Sequence, residues 1–248
     1  MNISSIQKNF TMLSSGKRIN SAADDASGLA ISQKLLTQET GFSAGRDNAL
    51  TGNDLLNTAD GALSSITDSL QRMRELSIQA SNSTYTAEDV QSIQDEIEQL
   101  KQGIQDVAKG TSFNGISILD GSRSDLQLAT NPNGSGMKIQ LYNSTLDNLG
   151  IADYDVTKDF DIDDIDKALE RVNSARSSLG SSSNALSHVS SYNSTASLAN
   201  TASRSRLEDL DYGPAISEQK KNQVLQQYRF FAQKAQIQQF STMRNFFF

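Results

Sequence analysis

Cysteine and tryptophan are absent from the 248 residues, and proline occurs only twice. Without cysteine there is no disulfide, no thiolate nucleophile and no zinc–thiolate site. Small extracellular proteins often draw stability from disulfides, so an extracellular role here would have to find it in assembly. So little proline leaves long helices almost uninterrupted. Hydrophobic residues make up 36% of the chain and aromatics 6%. That is thin for a globular core, but narrow helix-to-helix seams use only about two positions in seven. A net charge of −7 argues against nucleic acid or an anionic membrane as partner. No apolar run approaches the length of a bilayer-spanning helix. Met1-Asn2-Ile3-Ser4-Ser5 carries no basic flank and no apolar stretch, so no cleaved signal peptide is expected.

What is present is helical periodicity. Ile3, Ile6, Phe10 and Leu13 are spaced 3, 4 and 3, a one-sided stripe that stops at Ser14-Ser15-Gly16. Ser21, with Asp24 behind it, reads as a helix start, and one helix can run from there to about Ala80. Gly41, Gly45 and Gly52 inside it imply either close backbone packing or a break near Gly41 to Gly45. The later part carries a seam of Ala59, Leu63, Ile66, Leu70, Met73 and Leu76. After a polar loop, Val90, Ile93, Ile97, Leu100, Ile104 and Val107 form a heptad on a helix expected over 86–109. Two such helices joined by a short loop pack antiparallel. The period then changes to two. Leu126 and Leu128, then Met137, Ile139 and Leu141, flank a turn-rich Asn131 to Gly136 and predict a β-hairpin near 124–142. Helix returns at Asp163, with Ile165, Leu169, Val172, Leu179, Leu186 and Val189 on a face interrupted by Ser182, Ser183 and Asn193, and ends near Arg206. Gly213-Pro214 opens a last helix with Ile216, Val224, Tyr228 and Phe231 on one face. The fold class is therefore mainly α, a long helical bundle or coiled coil with a small hairpin. Residues 1–20 and 205–248 read as terminal helical arms, and 21–204 as a rod-like domain.

The run Leu13-Ser14-Ser15-Gly16-Lys17-Arg18-Ile19-Asn20-Ser21-Ala22-Ala23-Asp24-Asp25-Ala26-Ser27-Gly28 resembles the bacterial flagellins. So do Leu70-Gln71-Arg72-Met73-Arg74-Glu75-Leu76, Phe113-Asn114-Gly115, Ser205-Arg206-Leu207-Glu208-Asp209-Leu210-Asp211-Tyr212 and Val224-Leu225-Gln226-Gln227. The resemblance implies a filament subunit of the bacterial flagellum, with its terminal halves as the filament core. The connection from Gly115 to Asp163 holds little beyond the hairpin, which implies a minimal flagellin without a large outer domain. Ile3, Ile6, Phe10, Leu13, Ile216, Val224, Tyr228 and Phe231 are then the expected assembly seams. The partners implied are copies of the chain itself, a flagellar export chaperone, the filament cap and hook-associated proteins. The location implied is extracellular, by flagellar type III export. Gln71, Arg72, Glu75 and Leu76 match the flagellin patch recognised by Toll-like receptor 5. A minor or non-polymerising flagellin-like interaction protein, or the related hook–filament junction protein, is the alternative.

No enzyme is expected. There is no HExxH, nucleophile elbow or glycine-rich phosphate loop, and no cofactor is implied. The one histidine, His188, is placed on the mixed seam. Asp159, Asp161, Asp163 and Glu170 have the spacing of a calcium loop, but Asp164 stands where that loop needs glycine. These acids are expected to stabilise a helix N-terminus instead.

Overall fold

The computed structural model describes the backbone of residues 3–247 and the side chains of residues 7–239. Its helices are α1 (Ile3–Ser15), α2 (Ala26–Ala80), α3 (Ala87–Gly110), α4 (Leu146–Leu149), α5 (Asp163–Glu208) and α6 (Tyr212–Phe247). The strands are β1 (Ser112–Phe113), β2 (Ile116–Ser117), β3 (Asp125–Ala129) and β4 (Gly136–Gln140). The chain divides into two compact units, residues 1–39 with 198–248, and residues 40–197.

The unit formed by residues 40–197 is held by three helical stripes. From α2, Ala49, Leu56, Ala59, Leu63, Ile66, Leu70 and Met73 are buried; from α3, Ile93, Ile97, Ile104 and Ala108. From α5 come Ile165, Ala168, Val172, Ala175, Leu179 and Leu186. Steps of 3, 4 and 7 put these side chains on one face of each helix, and all belong to a single hydrophobic cluster. Ala168 and Ala175 add to the α5 stripe on the N-terminal side of the interruptions at Ser182, Ser183 and Asn193. His188 departs from expectation: it is exposed, off the buried stripe that Leu186 and Asn193 occupy.

Cross-helix polar pairs define the direction of packing. Arg74 Nε donates to Asp166 Oδ1 at 2.7 Å, and Arg176 Nε donates to Asp60 Oδ1 at 2.8 Å. As residue numbers fall along α2 they rise along α5, so the two are antiparallel. Helix α3 starts on a capping box, Thr86 Oγ1 accepting from Asp89 N while Asp89 Oδ2 accepts from Thr86 N at 2.9 Å.

The hairpin pairs Leu126 with Ile139 and Leu128 with Met137. It lies on the glycines of α2, which do not break that helix. A Cβ at Gly41 would stand 2.7 Å from Pro132 Cβ, one at Gly45 2.3 Å from the Thr130 carbonyl oxygen, and one at Gly52 2.3 Å from Leu128 Cδ1. Asn48 Nδ2 donates to the Ala129 carbonyl and Asn193 Nδ2 to the Thr130 carbonyl, each at 2.7 Å. Asn193, an interruption in the sequence pattern, thus satisfies a buried strand-end carbonyl. A second small hairpin, β1–β2, turns on Asn114-Gly115, whose φ values of 50° and 76° suit the right-handed twist of paired strands.

The connection after the hairpin does more than the sequence suggested. Besides α4 it contributes Ile151, Tyr154 and Val156 to the core. Tyr154 Oη donates to Ser77 Oγ at 2.8 Å, and Gln94 Oε1 accepts from Val156 N at 2.8 Å. Single apolar residues in an irregular loop have no period to reveal them.

Candidate assembly interface

In the unit of residues 1–39 and 198–248, the two terminal segments meet at their roots. α1 ends at Ser15, and Gly16 follows with φ +70°, a conformation that glycine adopts at little cost. The chain then runs beside the α5–α6 junction as a one-residue β-bridge, Lys17 against Asp209. Arg18 N donates to the Glu208 carbonyl at 2.7 Å and Leu210 N to the Gly16 carbonyl at 2.9 Å. Side chains reinforce it. Arg18 Nε donates to the Leu207 carbonyl at 2.7 Å, Lys17 Nζ stands 2.8 Å from Glu208 Oε2, and Ser32 Oγ donates to Glu208 Oε1. Glu208 is buried, yet the Lys17 ammonium first, and then the Ser32 hydroxyl, hold its carboxyl below the usual range.

The residues before α2 are held as firmly. Asp24 Oδ2 accepts from Asn20 N at 3.1 Å and Ser21 N at 3.0 Å, and Lys8 Nζ stands 2.8 Å from its Oδ1. The Lys8 hydrogen bond chiefly, with those backbone donors, lowers the Asp24 carboxyl to about 2. The helix cap is Asp25, whose Oδ1 accepts from Gly28 N at 2.8 Å. This moves the start of the helix from Ser21 to Ala26. Ser21 belongs instead to a turn closed by Asp24. A Cβ on Gly28 would lie 2.8 Å from Ile19 Cδ1, so the glycine lets the buried Ile19 seat against the first turn. The two sequence stretches that stood out, Leu13 to Gly28 and Ser205 to Tyr212, therefore clasp each other.

Beyond the clasp, α1 packs on α6, which opens with Asp211 Oδ1 accepting from Gly213 N at 3.1 Å. From Ala215 to Gln239 the covered positions of α6 are Ala215, Gln219 and Asn222, a stripe of one small residue and two amides. Its apolar stripe is left outside: Val224 is 63% exposed, Tyr228 72% and Phe231 67%, with Ile216 exposed beside them. Phe10 on α1 is 66% exposed, while Leu13 is half-buried. Ile3 and Ile6 lie on α1, but their side chains fall outside the described residues. The polarity of the arm pair is thus reversed relative to a self-contained fold, with amides inward and hydrocarbon outward. A spacing of 4 and 3 at Ala215, Gln219 and Asn222 was the available signal. A stripe without hydrophobic residues is not read as a contact face.

Of the candidate receptor patch, Gln71, Arg72 and Glu75 are exposed and Leu76 is buried in the core. Arg72 bridges the Glu75 and Glu96 carboxylates at 3.3 and 2.8 Å. Of the acids in the calcium-like spacing, Asp161 serves the start of α5, its Oδ1 accepting from Asp163 N at 2.9 Å, while Asp164, standing where that loop needs glycine, pairs through Oδ1 with Lys167 Nζ at 3.0 Å. No described helix is long and apolar enough to cross a membrane.

The bacterial flagellin N-terminal helical region matches residues 1–124, and the bacterial flagellin C-terminal helical region matches residues 162–243. The chain is 37% identical over 235 residues to the flagellin of Halalkalibacterium halodurans, covering 92% of this chain and 86% of that protein. It is 37% identical over 266 residues to the flagellin of Bacillus subtilis, covering 91% and 87%. The crystal structure of Bacillus cereus flagellin matches with a TM-score of 0.53 at 31% identity, over 59% of this chain and 88% of that one.

Proposed function

This chain belongs to the bacterial flagellin family and is a structural subunit of the flagellar filament, and from that premise we propose that its α1–α6 arm pair is the surface through which copies join. The observation that carries this reading is the outward apolar stripe of α6. Four large side chains, Ile216, Val224, Tyr228 and Phe231, stand in water although the same helix is covered along its amide stripe. Full burial of such a side chain is worth roughly 1.5–3 kcal/mol relative to exposure. In the filament, a neighbouring copy supplies that burial. Phe10 and Leu13 of α1 join the same seam, and Ile3 and Ile6 extend it by sequence spacing. A contact between different patches on successive copies does not close, and so builds a helical polymer.

Filament formation is tested by sedimentation and electron microscopy of the full-length protein across salt and pH. Persistent monomers would sink the proposal.

Export to the cell exterior follows from the family; passage through the flagellar type III channel, with a chaperone held on the apolar face of α6, is the route we propose. The filament cap and hook-associated proteins are the proposed contacts at the polymer's ends. The reading also includes a contact with Toll-like receptor 5 through Gln71, Arg72 and Glu75, the exposed part of the patch. Arg72→Ala should weaken binding to the receptor ectodomain several-fold in a surface-binding measurement; unchanged affinity removes the contact.

A further inference from the structure

Two Asn-Gly pairs occur in the chain, Asn114-Gly115 in the β1–β2 turn and Asn133-Gly134 in the β3–β4 turn. An asparagine followed by glycine carries its own nucleophile. The glycine backbone nitrogen lies within reach of the side-chain amide carbon, and no side chain shields it. Both pairs are exposed to solvent. As sequence they look alike; the fold separates them.

At Asn133 the reacting groups are held. Its Oδ1 accepts from Ser135 N at 3.1 Å and from Ser135 Oγ at 2.7 Å, and Ser135 Oγ in turn accepts from Asn131 Nδ2 at 2.9 Å. The nucleophile is held too, Gly134 N donating to the Asn131 carbonyl at 3.0 Å. Turning that nitrogen onto the side-chain carbon breaks these bonds together. At Asn114 neither group is held. Among the described residues the Asn114 side chain makes no hydrogen bond, and Gly115 N donates to no acceptor. A Cβ at Gly115 would meet nothing within 4 Å, so the pair is open to water on that side.

We infer that Asn114 is a site of spontaneous deamidation and that the fold protects Asn133 from it. Gly115 N gives its proton to solvent base and attacks Asn114 Cγ. The N–Cγ bond forms, the Cγ–Nδ2 bond breaks, and Nδ2 takes up a proton and leaves as ammonia. Water then opens the cyclic imide at either carbonyl, giving aspartate or isoaspartate. The reaction needs no second copy. Aspartate adds one negative charge to the turn. Isoaspartate also adds a backbone carbon, and since β1 and β2 are two residues each, the Ser112–Ser117 and Phe113–Ile116 pairs cannot both keep their register. Phe113 and Ile116 pack on the core cluster, so this product loosens the hairpin where it meets the core.

The test incubates the full-length protein in mildly alkaline buffer and follows both sites by peptide mapping, with mass-spectrometric fragmentation that tells isoaspartate from aspartate. A parallel sample in guanidinium chloride supplies the rates that local sequence alone sets. In the folded protein Asn114 should be converted about ten-fold faster than Asn133, the worth of one or two net hydrogen bonds. The two rates should converge on unfolding. Equal rates in the folded protein, or a faster Asn133, overturn the inference. So does a ratio that persists in guanidinium chloride, since neighbouring residues and not the fold would then set it. An Asn114 that reacts only after unfolding is held as firmly as Asn133, and that overturns the inference as well. Isoaspartate-containing protein, separated by its added charge, should melt earlier on heating than fresh protein. An unchanged melting point overturns the consequence for the hairpin.

Discussion

At the scale of single residues, the glycines of α2 carry the most information. A helix interior usually rejects glycine, at about 1 kcal/mol relative to alanine. Gly45 is retained because a strand-end carbonyl occupies the volume its side chain would need, 2.3 Å from a built Cβ. Gly61, on the same helix, has nothing within 4 Å of its Cβ position. The two should therefore respond oppositely to alanine. Gly45→Ala should destabilise by about 1–3 kcal/mol through overpacking against the hairpin. Gly61→Ala should stabilise by up to about 1 kcal/mol through helix propensity. Urea titration of both variants measures the difference, and shifts of the same sign would remove the notch as the reason for Gly45. The sequence showed that these glycines were out of place in a helix; only the seated hairpin shows which of them has a packing reason.

Between elements, the clasp of Gly16–Arg18 on Glu208–Leu210 joins the roots of α1 and α6. Its chemistry is acid-sensitive in a definite direction. The Glu208 carboxyl is lowered in the folded chain, principally by Lys17 and then by Ser32. The unfolded chain takes up that proton at a higher pH, near the ordinary glutamate value of about 4.3. The stabilisation is therefore complete above that value and is lost as pH falls through the lowered folded one. Glu208→Gln should accordingly make the thermal midpoint less dependent on pH between about 5 and 3 than in wild type. Equal slopes would show that the buried carboxylate contributes nothing to the clasp. Both halves of the clasp were conspicuous as sequence. Their mutual contact was not, because Arg18 and Leu207 are 189 positions apart and neither stretch has a periodicity that points at the other.

For the whole molecule, the division between residues 40–197 and the terminal segments separates two kinds of stability. The first buries three apolar stripes within one chain. The second closes on itself through amides, an ion pair and a short β-bridge, and leaves its hydrocarbon exposed. Removing residues 205–248 deletes α6 and the Glu208 half of the clasp while sparing the core positions of α2, α3 and most of α5. That truncation should keep most of the helical circular dichroism of the remaining chain and abolish polymerisation. Filaments from the truncated protein would show that joining does not need the arms.

Sequence alone determined the long helices (though not α4 or where α2 begins), the principal hairpin and the family, because periodicity and motif spacing are local properties written along the chain. The seams of α2 and α3 were legible for that reason, as was the turn at Gly16. Tertiary structure alone decided which face of each arm is turned inward. The pattern of α6 shows an apolar stripe and an amide stripe, and a sequence read by hydrophobicity assigns the contact to the apolar one. Within the single chain, α6 meets α1 through the amides. The clasp brings the helix roots together through Lys17, Ser32 and Glu208, so the side that packs is decided by contacts remote in sequence, and the hydrocarbon remains outward for another copy.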